Sequence, residues 1–304
     1  MALTRRMARL GTETAFEVLA RARALEAQGR DIVHLEIGEP DFATPQHIVR
    51  AAEEALRQGY THYGPTPGLP ETRAAIARHI ARTRGIPVQP EQVVVTPGAK
   101  PIMFYTILAL GEPGVEVVYP NPGFPIYESM VRFTGARPVP MRLVEEKGYH
   151  PDLEDLAAKV TDRTRLVILN SPHNPTGGTI SREELEAIAG LVRGRRCYVL
   201  SDEVYNAIRY TGEHVSIASL PGMAERTIIL DGFSKTYAMT GWRIGYGVFP
   251  PELVEPVCRL QVNSVSCTAS FPRRRGGHGN GVPPPPRRHR AGAAPHPRRR
   301  VPGA

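Results

Sequence analysis

The chain has 304 residues, 41% of them apolar, enough to bury a sizeable core in one large or two modest domains. Apolar runs of only strand length, no apolar stretch after the N-terminal arginines and three cysteines without ligand spacing argue against a membrane span, a secretory signal, a disulfide frame and a metal centre; a cytoplasmic location is expected. The net charge of +8 resides in the C-terminal stretch: nine arginines and no acid follow Phe271, leaving 29 basic against 30 acidic residues before it, so nucleic-acid binding by the folded part loses its main support.

The first predicted element is a helix over 45–60. Thr44 is read as its N-cap, Pro45 as its first helical residue and Gly59 as its end, with Ile48, Ala51, Ala52, Ala55 and Leu56 on one face. A Gly/Pro-rich loop, THYGPTPGLP, follows, and then a second helix through Ala74–Arg82. From there short apolar runs at 93–95, 115–119, 166–170, 197–201 and 227–231 have strand length and bounded ends. Helical patterns alternate with them, such as 181–192, which opens on the Ser181/Glu184 capping box. The alternation predicts an α/β fold, a mostly parallel sheet with helices on both faces. In such sheets ligands gather beyond the carboxyl ends of the strands. Asn170-Ser171, Asp202 and the stretch Asp231–Lys235 fall there.

The last segment, 272–304, holds eight Pro, nine Arg and six Gly and lacks Leu, Ile, Met and aromatic residues. It cannot bury enough apolar surface to offset the entropy of ordering, so it is expected to be a disordered basic tail. Its Arg/Pro/Gly/Ala/His composition is also what a GC-rich gene yields out of frame, and the tail is read as a frameshift product in preference to a regulatory basic tail.

Four segments carry candidate chemistry. Asp231–Arg243 (DGFSKTYAMTGWR) places an amine, Lys235, and a guanidinium, Arg243, eight residues apart after a strand, able to serve a Schiff base and a phosphate. A lone lysine there would be an ordinary loop residue. In SDEVY, Asp202 could cap a helix or meet a protonated ring nitrogen. NSPHNPTGG (170–178) reads as a turn by its Asn-Pro and Gly-Gly pairs, and TPGAK (96–100) as a tight turn opening a helix whose N–H groups could hold a phosphate.

In this order and spacing, with HLEIGEPDF and YGPTPGLPE in support, SPHNPTGG, SDEVY and SKTYAMTGWRIGY resemble fold type I pyridoxal-phosphate-dependent aminotransferases of class I/II, the aspartate aminotransferase type, from about Thr12 to Phe271. There is neither a G-x-G-x-x-G after a first strand nor a Walker-type loop. The resemblance implies that Lys235 holds the cofactor as a Schiff base and moves the substrate's proton. Asp202 would pair with the ring nitrogen, Asn174 and Tyr205 with the phenolate oxygen, and Phe124 would stack on the ring. Gly98, Ala99, Lys100, Ser234 and Arg243 would cup the phosphate together with Tyr63 of a second subunit. Gly38 would lie near the substrate α-carboxylate, and Lys100 would lean toward a distal carboxylate of aspartate or glutamate, a reading weighed equally against a solvated lysine at a helix start. The implied partners are an amino acid and a 2-oxo acid, and the implied assembly a homodimer. Residues 1–44 would form an N-terminal arm and part of a small domain, and 45–271 the cofactor-binding large domain.

Beyond Phe271 no residue matches the family pattern, which there supplies the end of the large domain, most of the small domain and an arginine for the substrate α-carboxylate. The resemblance therefore implies a truncated chain with impaired activity. The rival readings are a carbon–sulfur β-lyase or cyclopropane-carboxylate synthase on the same scaffold, and an inactive binding protein that grips nucleic acid or an acidic partner through its basic tail.

Overall fold

A computed structural model describes residues 3–271; the tail expected to be disordered lies outside them. In chain order the elements are α1 (Ala15–Glu26), α2 (Gln46–Arg57), α3 (Pro70–Arg84), β1 (Val93–Thr96), α4 (Lys100–Leu110), β2 (Glu116–Asn121), α5 (Pro125–Thr134), β3 (Arg137–Val144), β4 (His150–Pro151), α6 (Leu153–Lys159), β5 (Thr164–Asn170), α7 (Arg182–Val192), β6 (Tyr198–Asp202), β7 (Thr227–Gly232), β8 (Gly245–Val248) and α8 (Pro251–Val265).

The strands form one sheet in the order β1-β8-β7-β6-β5-β2-β3-β4. β7, β6, β5, β2 and β3 run parallel to their neighbours, as the alternating pattern predicts. β8 lies antiparallel between β1 and β7, and the two-residue β4 closes the far edge antiparallel to β3. The strand runs are apolar on both sides because both faces are covered. Leu166 and Ile168 of β5 point into a core shared with Ile102 and Met103 of α4, Tyr127 of α5 and Val257 of α8. Val167 and Leu169, one residue out of phase, enter a second core with Leu156 of α6 and Ile188 of α7. A third core joins Ile76 and Ile80 of α3 to Val93, Val95 and Tyr246. The period-two alternation of side chains makes one strand serve two cores.

The helix at 46–57 differs from the sequence reading at its start. Pro45, not Thr44, is the N-cap, and it offers no side-chain acceptor. The Thr44 hydroxyl donates instead to the Ala238 carbonyl at 2.5 Å and accepts from Trp242 Nε1 at 3.0 Å. A tertiary contact thus took the hydroxyl that local sequence assigned to the cap, and it pins the end of the N-terminal segment to the loop that carries Lys235. α7 does begin as expected: the Ser181 hydroxyl accepts from the Glu184 N–H, and Glu184 reaches back to the Ser181 N–H.

Among the described residues no helix is long and apolar enough to cross a membrane, and no group of three or more His, Cys, Asp or Glu gathers to hold a metal ion.

Candidate functional site

A cavity of about 730 Å³ opens beyond the carboxyl ends of β5, β6 and β7 and is closed on one side by the chain around Glu13–Phe16 and Glu36–Glu39. Ala99, Lys100, Phe124, Asn174, Asp202, Tyr205, Ser234, Lys235, Arg243 and Gly38 all line it. Residues up to 205 positions apart in sequence converge there: Asn174, Asp202, Ser234 and Lys235 lie at or after the carboxyl ends of the parallel strands β5, β6 and β7, Ala99 and Lys100 follow β1, and Gly38 comes from the N-terminal segment that borders the cavity.

Asp202 is the last residue of β6 and is buried. Its Oδ2 accepts from the Tyr127 hydroxyl at 2.6 Å, and its Oδ1 from the Val204 N–H at 3.3 Å. Burial pushes its carboxyl up to about 6, aided by Asp231 and Glu203 and opposed by the two hydrogen bonds. A buried carboxylate that lines a cavity is arranged to gain from a cationic partner.

Lys235 lies in the loop after β7. Its amine donates to the Gly38 carbonyl and stands 5.7 Å from the centre of the Tyr205 ring. Burial pulls the amine below the ordinary lysine value; Arg243 adds to the effect, while Glu39 and Glu13 oppose it. The Tyr205 hydroxyl is raised to about 12 by burial first, then by Asp202 and Glu13.

The turn between β1 and α4 approaches Arg243 closely. Gly98 has φ +85°, and a Cβ there would overlap the Arg243 guanidinium. Across the sheet edge, a Cβ on Gly245 would collide with the backbone of Gly98 and Ala99. Two glycines therefore allow the turn, the guanidinium and β8 to pack together. Arg243 itself has φ +55° and is steadied by donating from Nη1 to the Thr240 carbonyl at 2.8 Å.

Asn174 is held by its N–H, which donates to Asn170 Oδ1 at 2.8 Å, while Asn170 Nδ2 donates to the Asp202 carbonyl at 3.0 Å. Asn170 thus couples two candidate residues, a role that no spacing signal revealed. Phe124 packs edge-on against Tyr127 at 5.7 Å. Tyr127 follows Phe124 by three residues at the start of α5, which brings both to one side of the helix. Tyr63, by contrast, is 90% exposed and does not line this cavity.

Behind the cavity lies a buried ionic cluster absent from the sequence reading. Arg84, at the end of α3, donates from Nε to Glu203 at 2.7 Å and from Nη2 to Asp231 at 2.8 Å. Ser201 also donates to Glu203, and Asn206 and Tyr246 to Asp231. Burial alone would raise Glu203, but Arg84 and His214 outweigh it and hold the carboxyl well below the usual range.

The residues present suit pyridoxal phosphate. An amine and a buried carboxylate face the cavity, and a guanidinium sits in a turn that only glycine permits and that opens a helix N-terminus.

A family model, aminotransferase class I and II, matches residues 30–272. The chain is 40% identical over 266 residues to an aspartate/prephenate aminotransferase of Thermus thermophilus, covering 87% of this chain and 68% of that one. It is 44% identical over 239 residues to an arginine–pyruvate transaminase of Pseudomonas aeruginosa, covering 79% and 61%. It superimposes on a solved aspartate aminotransferase from Thermus thermophilus with maleate at a TM-score of 0.87 and 38% identity, covering 90% of this chain and 71% of the other.

Proposed function

Because the chain belongs to the class I and II aminotransferase family, a pyridoxal-phosphate-dependent one, we propose that it transfers an amino group between an L-amino acid and a 2-oxo acid, with Lys235 as the residue that holds the cofactor. The observation that carries this reading is the convergence of Lys235, Asp202 and Arg243 on one cavity.

Bound there, pyridoxal phosphate supplies a sink for the electron pair released when the substrate Cα–H bond breaks. The chain's own groups have separate tasks. Lys235 Nζ, lowered in basicity by burial, would take the proton from the substrate Cα and deliver it to the carbon on the other side of the amino nitrogen, the 1,3 shift that amino transfer requires. Asp202, held by Tyr127, keeps a negative charge opposite the ring nitrogen. Asn174 and Tyr205 hydrogen-bond the ring oxygen, and Phe124 covers the ring face. Gly98, Ala99 and Lys100 offer N–H groups to the phosphate, joined by Ser234 and Arg243, whose planar guanidinium suits a phosphate. Gly38 releases Lys235 and borders the substrate carboxylate.

Residues 45–271 act as the cofactor-binding domain, and 1–44 as an arm over the site. The exposed Tyr63 serves the cavity of a second copy in a homodimer. Cytoplasm is the proposed compartment. Relatives named as aminotransferases or transaminases favour amino transfer over β-lysis.

The test is to incubate the protein with pyridoxal phosphate, reduce with borohydride and map the modified peptide. Cofactor fixed at Lys235, lost in Lys235→Ala, supports the reading. Fixation scattered over surface lysines, with no amino transfer from any donor, would sink it.

A further inference from the structure

Three cations line the cavity: Lys100, Lys235 and Arg243. On the reading above, on which this inference rests, Lys235 and Arg243 serve the cofactor. Lys100 is then the cation left, among the described residues of the lining, for a charged group on the substrate side chain.

That cation is already engaged. The Lys100 amine makes an ion pair with Glu13 Oε2 at 2.7 Å and stands 5.2 Å from the centre of the Phe124 ring. Glu13 precedes α1, so the pair joins the N-terminal segment to the first residue of α4 across the cavity. Two more carboxylates line the same side. Glu36 is held by His34 at 2.6 Å, and Glu39 accepts from Thr240. Between these acids lie apolar surfaces from Phe16, Ile37 and Met103.

We propose that Glu13 is a specificity-determining residue: by pairing with Lys100 it denies a cation to a second substrate carboxylate, so the site takes amino acids and 2-oxo acids with uncharged side chains. The competition favours Glu13 for two reasons. It is tethered, so it meets Lys100 at an effective concentration that a free dicarboxylate does not match. A carboxylate that did reach Lys100 would also stand within about 4–6 Å of the displaced Glu13, where like charges repel. The pair is partly exposed, at 44% for Lys100 and 24% for Glu13. Water therefore weakens the pair, but an incoming anion faces the same screening.

Pentanoate and glutarate are five-carbon acids that differ by one distal carboxylate and do not react. Their dissociation constants are measured by calorimetry on the full chain with saturating pyridoxal phosphate, for the wild type, Glu13→Gln and the double variant Glu13→Gln/Lys100→Met. The wild type is expected to bind pentanoate at least as tightly as glutarate. Glu13→Gln should shift the ratio toward glutarate by tenfold or more, and the double variant should cancel the shift. A wild type that prefers glutarate tenfold, an unchanged ratio in Glu13→Gln, or binding of neither acid would overturn the proposal. Borohydride labelling of Lys235 on the same samples separates the two claims. Lost labelling with the ratio shift intact would remove the aminotransferase reading and leave only the Glu13–Lys100 pair's control of anion binding, whereas intact labelling without a shift would remove this inference alone.

Discussion

The Tyr127 hydroxyl donates a 2.6 Å hydrogen bond to Asp202 Oδ2, so a phenol from α5 stabilises the negative charge at the end of β6. The bond opposes the burial that raises this carboxyl to about 6. Tyr127→Phe removes the opposition, and a hydrogen bond to a charged group is worth about 1.5–3 kcal/mol, or roughly one pKa unit or more. Because ionised Asp202 is the form that meets the ring nitrogen, the acid limb of cofactor affinity against pH should move upward by about one unit. Superimposable profiles for the two proteins would show that the bond does not tune Asp202.

The same carboxyl makes a prediction about the cofactor-free protein. A carboxyl whose folded value exceeds its unfolded value favours folding fully below the unfolded value, and this contribution is lost as pH rises through the folded one. For Asp202 the window runs from 3.8 to about 6. Asp202→Asn, which cannot ionise, should therefore match the wild type below pH 4 and exceed it above pH 6 by roughly 3 kcal/mol at most. Urea unfolding at pH 4 and pH 7 measures the difference. Equal differences at both pH values would contradict the assignment.

Arg84 neutralises two carboxylates inside the molecule. Arg84→Met leaves Asp231 buried without its cation and Glu203 with His214 as its remaining ion-pair partner, and breaking such a buried pair costs about 3–5 kcal/mol. Arg84→Lys should recover only part, because one ammonium cannot reproduce two hydrogen bonds from a planar fork. Chemical denaturation of the three proteins checks the order wild type, Lys, Met. A Met variant as stable as the wild type would mean that the cluster contributes nothing to the fold.

Gly245 stands in β8 opposite Thr96 of β1 and Gly232 of β7. A Cβ at this position would meet the backbone of Gly98 and Ala99, which can yield only by moving the turn. Gly245→Ala should cost about 1–3 kcal/mol through overpacking. It should also weaken pyridoxal phosphate binding about tenfold, because the displaced N–H groups belong to the proposed phosphate cup. Fluorescence titration with the cofactor reads the second effect, and unchanged affinity would place the phosphate elsewhere.

Much of the sheet was legible because its central strands are short apolar runs between polar ends, as at Leu166–Asn170 and Thr227–Asp231. β3 was not, since its sequence RPVPMRLV interrupts the run with two prolines and two arginines. β8 was missed because GYGV carries two glycines where strand propensity expects branched residues. α4 was announced only by its opening turn at Thr96–Lys100, because a helix apolar nearly all round has no stripe to detect.

Sequence alone determined which groups the candidate site offers: a lysine and an arginine eight residues apart after one strand, an aspartate ending another, and a glycine turn opening a helix. Each is local and taken alone has an ordinary loop or turn reading; their order and spacing, which resemble one family, singled them out. Tertiary structure decided what those groups touch. Tyr127 on Asp202, Asn170 between Asn174 and Asp202, Glu13 on Lys100 and Arg84 between Glu203 and Asp231 join positions 4 to 147 residues apart. Such pairings depend on which strand lies beside which and on how each helix crosses the sheet. Apart from the short Asn170–Asn174 contact, no local pattern encodes them, and they place Tyr127 on Asp202 and Glu13 on Lys100.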